Sequence, residues 1–399
     1  VQIEKFDTSS IPTNLLTPIN NQELVVTVDS LSHGGSGVCR QNEFVIFVPN
    51  TCPGDKVRVR IINVKKNYAE ADLLEVIEPS PKRIIPPCPV FGECGGCQWQ
   101  HVEYPEQLKQ KQLIVEHALS RIGKEEQVKI LPIIASADQF HYRNRAQFRS
   151  EGPTVGFYKK GTHQIVEFQK CLIVEEDINL ELTKIKKELE GKENFHSTKF
   201  EVYKTENGGL IRSLNRAHGE EMGFSQVNTA QNIKMQKYIN SLLGVPEKID
   251  NDNVGEKGNL LDLYCGNGNF SFALNDLGWR IYGIDASRQA ITTARKRANP
   301  STFFSVSDVS WEVKKLAEKS RKFEAILLDP PRIGAADHLW PNLVKLNAEK
   351  IIYVSCNPAT FARDWARVKA KSQYRLESIQ PFDMFPQTFH VELVALARK

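Results

Sequence analysis

Asn259-Leu260-Leu261-Asp262-Leu263-Tyr264-Cys265-Gly266-Asn267-Gly268-Asn269-Phe270 reads as an apolar strand, a tight turn and the start of a helix. Gly266 and Gly268 lack the Cβ atoms that would hold a ligand away from the backbone. A second apolar stretch, Trp279-Arg280-Ile281-Tyr282-Gly283-Ile284, ends in Asp285, placed to accept hydrogen bonds from both hydroxyls of a ribose. A dinucleotide fold would want a third glycine where Ser271 stands, so a nucleoside ligand without a pyrophosphate fits better than NAD. From about Asn228 onward helical patterns alternate with apolar strands, which predicts a doubly wound, Rossmann-like α/β sheet.

Two further strand ends carry chemistry. Phe323-Glu324-Ala325-Ile326-Leu327-Leu328 runs into Asp329-Pro330-Pro331-Arg332, delivering Asp329 to the carboxyl edge of the sheet, where open α/β folds bind ligands. The two prolines stiffen that turn, and a fixed acceptor there suits a uracil N3–H or an exocyclic amine. Ile351-Ile352-Tyr353-Val354 leads into Ser355-Cys356-Asn357-Pro358, and Phe389-His390-Val391-Glu392-Leu393 follows. A cysteine at a strand end with a separate carboxylate suits thiolate attack on an electron-poor ring carbon, then removal of a ring proton. Only the thiolate attacks, and a free cysteine has a pKa near about 8.5, so the site is expected to lower it. Arg332 is the candidate cationic neighbour.

The whole chain has 399 residues, enough for two or three domains, with an ordinary 41% apolar and 25% charged content. A formal charge of +4 confines any nucleic-acid surface to a local patch. No apolar run is long enough for a membrane span, and Val1-Gln2-Ile3-Glu4-Lys5-Phe6 lacks the form of a signal peptide, so a cytoplasmic monomer is expected. In a reducing compartment the eight cysteines should be metal ligands, catalytic groups or packed thiols. Cys88, Cys94 and Cys97 cluster around Gly95-Gly96, which lets their sulfurs converge on zinc or an iron–sulfur centre. Spacing leaves the fourth ligand open among Cys39, Cys52 and Cys171.

Residues 23–77 read as short strands without helices: Val25-Val26-Thr27-Val28, Phe44-Val45-Ile46-Phe47-Val48 and Val57-Arg58-Val59-Arg60-Ile61. Such a segment suggests a small OB-type barrel, and it resembles the TRAM module of RNA-modifying enzymes. Pro79, Pro81, Pro86, Pro87 and Pro89 mark a linker before the cysteines. A helix is expected over 105–122, and a Lys/Glu-rich one near Leu180 to Leu189. Phe140-His141-Tyr142-Arg143-Asn144-Arg145-Ala146-Gln147-Phe148-Arg149 alternates as a strand would, placing Arg143, Arg145 and Arg149 on one face as candidate phosphate ligands.

Together these motifs carry a resemblance over nearly the whole chain. The sequence resembles the RNA uracil-C5 methyltransferase family, in its iron–sulfur-containing 23S rRNA branch. It does so through Cys88-x5-Cys94-x2-Cys97, Phe224-Ser225-Gln226-Val227-Asn228, the Asp262 loop, Asp329-Pro330-Pro331-Arg332, Ser355-Cys356-Asn357-Pro358 and His390-Val391-Glu392. The resemblance implies Cys356 as nucleophile and Glu392 as proton acceptor. It implies S-adenosylmethionine held by Gln226, Tyr264, Asp285 and Asp329, with Gly266, Gly268 and Asn269 forming the loop beneath. It also implies a [4Fe–4S] cluster on Cys88, Cys94, Cys97 and Cys171. RNA contacts are expected at Arg143, Arg145, Arg149, Arg332 and Phe224, the last as a stacking surface. Asp285 departs mildly from members with Glu at that position.

The expected organisation is a barrel over 1–78, a central cluster-bearing and RNA-binding domain over 79–222, and a methyltransferase domain over 223–399. The helix at 105–122 is free to cross over and pack on the last of these. The expected substrate is 23S rRNA, with tRNA as the alternative. A base N-methyltransferase would not need Cys356 or Glu392, and a non-catalytic RNA-binding iron–sulfur protein would bind no methyl donor.

Overall fold

The computed structural model describes residues 17–192, 198–205, 208–214, 226–245 and 258–399. The opening six residues read for a signal peptide, Phe224 and the expected boundary at 222–223 lie outside them. The chain divides into two compact units. The first runs to Gly92 and adds Gly96–Gln110 and Gln387–Phe389; the second takes Glu93–Gly95, Lys111–Pro386 and His390–Lys399.

The first unit contains a closed barrel of five strands, Glu23–Leu31, Gly37–Gln41, Phe44–Val48, Lys56–Val64 and Tyr68–Glu78. Alternation dictates its inside: Val26, Val28, Ile46, Val48, Val57, Val59, Ile61, Ala69 and Ala71 fill it together with Cys39. Cys39 and Cys52 are fully buried thiols, each pushed up to about 12, chiefly by burial. Cys39 packs among the apolar residues of the barrel interior.

The second unit is organised on an eight-stranded sheet in the order Thr302–Val306, Arg280–Asp285, Asn259–Leu263, Ala325–Leu328, Lys350–Ser355, Glu392–Arg398, Arg375–Phe382 and Lys129–Ile130. The first five are mutually parallel, and Glu392–Arg398 runs antiparallel to both its neighbours. Both faces are covered, as parallel strands require. On one side Ala325, Leu327, Ile352, Val354, Val394 and Leu396 pack with Met235, Ile239 and Leu243 of the helix Thr229–Leu243. On the other, Tyr353 lies between the rings of Trp340 and Phe361, 6.1 and 5.1 Å away.

A second, antiparallel sheet in this unit orders Leu210–Leu214, Thr198–Lys204, Arg145–Glu151, Thr154–Tyr158 and Ile165–Glu167. The helix expected over 105–122 spans Tyr104–Ala118 and ends in a wider π turn, Leu119–Gly123. From this helix, Lys111 places its ammonium 2.5 Å from Asp383 Oδ1, both side chains fully buried. Lys111 also donates to the Phe385 carbonyl, while Gln231 donates to the Asp383 carbonyl and Tyr142 Oη to that of Pro386. Four polar contacts thus hold the segment just ahead of the last strand.

Candidate active site

Strand order and register assemble the site. Leu263 and Leu328 are neighbours in the sheet, so their successors Tyr264 and Asp329 emerge side by side at the carboxyl edge. Leu328 pairs with Tyr353, which brings Cys356 to the same edge. Ser355 pairs with Leu393 across an antiparallel ladder, so Cys356 comes alongside Glu392 although 35 positions separate them in the chain. The turn at Cys356 is locally fixed. Ser355 Oγ accepts from Asn357 N at 3.1 Å, and Asn357 Oδ1 caps the helix Pro358–Lys369 through the N–H groups of Ala359 and Thr360.

At the nucleotide loop Tyr264, Gly266 and Gly268 all have positive φ, at 62°, 55° and 90°. A side chain at Gly268 would run into the Phe272 ring, so glycine there is a steric requirement. Asp285 accepts Gly266 N–H at 2.9 Å on one oxygen and Ser287 N–H at 2.7 Å on the other, which orients its carboxylate. Asn269 is held within the protein: its carboxamide is bonded to Asn232 and Gln236, and its carbonyl accepts from Gln236 Nε2 at 2.8 Å. Two buried acceptors, Gln226 Oε1 and Asp262 Oδ1, have no protein partner among the described residues. Orphaned acceptors beside a cluster of carboxylates suit a ligand with an ammonium and a sulfonium, and S-adenosylmethionine carries both.

The electrostatics run against one expectation. Cys356 is pushed up to about 12, by burial first and then by the Glu392 carboxylate, with Arg332 pulling the other way and Asp329 adding to the rise. The folded chain therefore favours the protonated thiol, whereas a lowered pKa was expected. The physical reason is that two carboxylates and burial outweigh one guanidinium on the exposed residue Arg332. Glu392, 4% exposed, is raised well above the ordinary carboxylate range by burial and by Asp329. Asp329 and Asp262 both rise to about 7, each through burial first. Tyr264, likewise pushed up to about 12 by burial, stays a neutral phenol.

A groove of about 580 Å³ passes Gln226, Gly268 and Asn269 and continues to Asn144 and Lys204. Cys356 and Glu392 are not among its lining residues, so it adjoins the donor side of the site.

The arginine row is only partly present. Arg145 opens the strand Arg145–Glu151, but its side chain is buried and pairs with Glu201 Oε1 at 2.6 Å. It is thereby removed from an exposed phosphate-binding face, because a buried guanidinium needs its carboxylate. Arg143 precedes the strand and bonds the Arg145 carbonyl, so it does not continue the same face. Arg149 remains half-buried with its guanidinium 5.2 Å from the Tyr158 ring.

Cys88, Cys94, Cys97 and Cys171 are all half-buried free thiols, the first and third in one compact unit and the other two in the other. Burial pushes Cys171 up to about 11, against the N–H groups of Ile173 and Val174, and the nearby Cys94 adds to the rise. Among the described residues no group of three or more His, Cys, Asp or Glu side chains converges as a metal site. The four thiols have the donor chemistry for an iron–sulfur cluster.

Asp364 was not legible as part of the site. Fully buried on the helix after Cys356, it accepts from Ala335 N–H at 2.9 Å and Tyr353 Oη at 2.8 Å. Thr360 Oγ1 bonds the Arg332 carbonyl at 3.1 Å, and Arg363 bonds that of Ile333 at 2.7 Å. Asn357-Pro358 signals a helix start, but nothing in the sequence says that this helix braces the Asp329 turn.

A family model described as tRNA (uracil-5-)-methyltransferase matches residues 214–399, and one described as TRAM domain matches residues 20–74. The chain is 34% identical over 390 residues to an RNA methyltransferase of Bdellovibrio bacteriovorus, with 96% of each chain covered. It is 31% identical over 448 residues to one of Halalkalibacterium halodurans, covering 95% of this chain and 98% of that one. Among solved structures it is similar to Pyrococcus abyssi tRNA (uracil-54, C5)-methyltransferase in complex with S-adenosyl-L-homocysteine. The identity is 24% and the TM-score 0.70, over 94% of this chain and 99% of that one, which shows a shared fold. Among the described residues no helix is long and apolar enough to cross a membrane.

Proposed function

The chain belongs to the RNA methyltransferase family of its Bdellovibrio bacteriovorus relative, and on that premise, with residues 214–399 matching a tRNA (uracil-5-)-methyltransferase model, we propose that it methylates uridine C5 through a transient bond between Cys356 and C6. The observation that carries this reading is the pairing of Ser355 with Leu393, which brings a thiol and a buried carboxylate to one point at the sheet edge.

The thiol first loses its proton to solvent, with Arg332 as the opposing cation. The sulfur then adds to C6, and the C5–C6 π electrons move toward O4. C5 uses them to take the methyl group of the sulfonium, which leaves as neutral S-adenosylhomocysteine. Glu392 accepts the C5 proton, the C5–C6 double bond re-forms and the C6–S bond breaks, returning the thiolate. Glu392 acts from its ionised form, its own proton having left to solvent beforehand, and burial makes that carboxylate a stronger base. Gln226, Tyr264, Asp285 and Asp329 hold the methyl donor in this reading.

The proposed substrate is 23S rRNA, on the strength of the cysteine pattern; a tRNA substrate is the alternative that the Pyrococcus abyssi relative's name suggests. The division into a barrel over 1–78, a central part over 79–222 and a catalytic part over 223–399 belongs to the same proposal. The [4Fe–4S] cluster stays an inference from Cys88, Cys94, Cys97 and Cys171 alone, and no step above passes through it. Iron and sulfide analysis of anaerobically purified protein tests it.

Unmodified 23S rRNA and tRNA transcripts, incubated with the protein and labelled S-adenosylmethionine and then digested for nucleoside mass spectrometry, test the activity. 5-Methyluridine is the expected product. An N-methylated base, or no methyl incorporation, would overturn the reading.

A further inference from the structure

Pro331, Arg332 and Ile333 are three consecutive exposed residues at the mouth of an otherwise buried site, and Ile333 is 78% exposed. Single surface isoleucines are ordinary, but this one is held in an unusual way. Its carbonyl accepts from Arg363 at 2.7 Å, and the carbonyl before it from Thr360 Oγ1 at 3.1 Å. On its far side Gly334 turns at φ 82°, its N–H bonded to the Pro331 carbonyl at 2.7 Å. Ala335 N–H then anchors the chain on buried Asp364 at 2.9 Å. A Cβ on Gly334 would collide with Asp364, Thr360 and Arg363, so the loop sits tight on the helix Pro358–Lys369. The backbone is therefore braced at every step while the Ile333 side chain is left in water.

Its place in the site gives that arrangement a use. The Arg332 carbonyl accepts from Asn357 Nδ2 and from Thr360 Oγ1, in the turn and helix that follow Cys356, so the loop carrying Ile333 adjoins the nucleophile. Because Glu392 is buried, a uracil reaches the pair only after leaving its stack, and leaving it opens a gap between the flanking bases. Apolar side chains are the groups that proteins insert into such gaps, and a stiff loop inserts one with little loss of entropy.

Resting on the uridine-methylation reading, we infer that Ile333 is a wedge that enters the base stack of the RNA and stabilises the extruded uridine, with Arg332 beside it at the phosphate. The wedge sets how readily a stacked target reacts and has no part in the bond changes at C5 and C6.

The test uses the full-length protein and unmodified 23S rRNA and tRNA transcripts. Once mass spectrometry of ribonuclease fragments has located the methylated uridine, a hairpin carrying it is made in two forms, with natural neighbours and with one neighbour replaced by an abasic spacer. Single-turnover methylation is measured for the wild type, Ile333→Ala and Ile333→Asp, with binding of S-adenosylhomocysteine followed in parallel as a report on folding. On the natural hairpin the alanine variant should be slower by about tenfold, the equivalent of about 1.4 kcal/mol, and the aspartate variant slower still. On the abasic hairpin the alanine deficit should shrink to about twofold, because little stacking is left to disrupt. Equal deficits on both hairpins, or none on either, would overturn the wedge while leaving the methylation reading intact. Absence of methylation by the wild type on every transcript would remove that reading and the wedge with it.

Discussion

Ser271 Oγ donates to Asp262 Oδ2 at 2.5 Å, in the buried floor beneath the glycine loop, and leaves the other oxygen of that carboxylate without a protein partner among the described residues. Burial raises Asp262 from 3.8 to about 7 in the folded chain. The stability this group contributes is full below its unfolded value and is lost as pH rises through about 7. A cationic ligand has the opposite preference, since it binds the ionised carboxylate. Affinity for S-adenosylmethionine should therefore rise from about pH 6 to pH 8, while that for neutral S-adenosylhomocysteine changes less. Asp262→Asn should flatten the stability profile between the unfolded value of 3.8 and about 7, and weaken S-adenosylmethionine binding; calorimetry and thermal melts across pH measure both. An affinity independent of pH would count against Asp262 and Asp329 as partners of the sulfonium.

Removing the proton acceptor should separate the two halves of the reaction. Glu392→Gln is expected to accumulate a covalent protein–RNA species after methyl transfer, visible on denaturing gels, with multiple turnover lost by at least about a hundredfold. Cys356→Ala should give neither adduct nor product, even with 5-fluorouridine-substituted RNA. An adduct formed by the alanine variant would take the nucleophile role away from Cys356.

Gly334→Ala places a methyl group against Asp364, Thr360 and Arg363 at a backbone angle of φ 82°. The loop must move, and Arg332 with it. We expect a loss of about 1–3 kcal/mol in urea denaturation. Single-turnover methylation should fall more than S-adenosylhomocysteine binding does. Equal losses in both would mean that the turn supports the fold without positioning Arg332.

The two arginines of the strand Arg145–Glu151 should behave differently. Arg145→Ala takes the cation from the buried Glu201 carboxylate, to which Gln147 still donates, and should cost about 3 kcal/mol of stability. Arg149→Ala should leave the fold intact and lower the salt dependence of RNA binding by about one counterion. A stable Arg145→Ala protein with weakened RNA binding would reverse this assignment.

Much of the molecule was written in local pattern. The barrel strands follow from period-two alternation in Val57 to Ile61 and Phe44 to Val48, because one face must fill a small interior. The sheet strands follow from unbroken apolar runs such as Ala325–Leu328, which suit burial on both faces. The expected arginine row failed for the same kind of reason. Alternation correctly puts Ala146 and Phe148 inside, yet it cannot show that Glu201 on the neighbouring strand turns the Arg145 side into a buried one as well. Arg143, in turn, lies ahead of the strand.

What the chain announces unaided is chemistry at strand ends: a glycine turn, an acid after the next strand, a cysteine and a distant carboxylate. These are short-range features, governed by sterics and hydrogen bonding over a few residues. Whether Cys356 and Glu392 meet is a matter of antiparallel register, and a shift of one position would turn the carboxylate to the opposite face of the sheet. The protonation of the thiol, the bracing of Ile333 by Arg363 and the anchoring of the turn on Asp364 arise from elements brought together by folding. Burial and Coulomb interactions depend on spatial neighbours, which only the packed chain supplies.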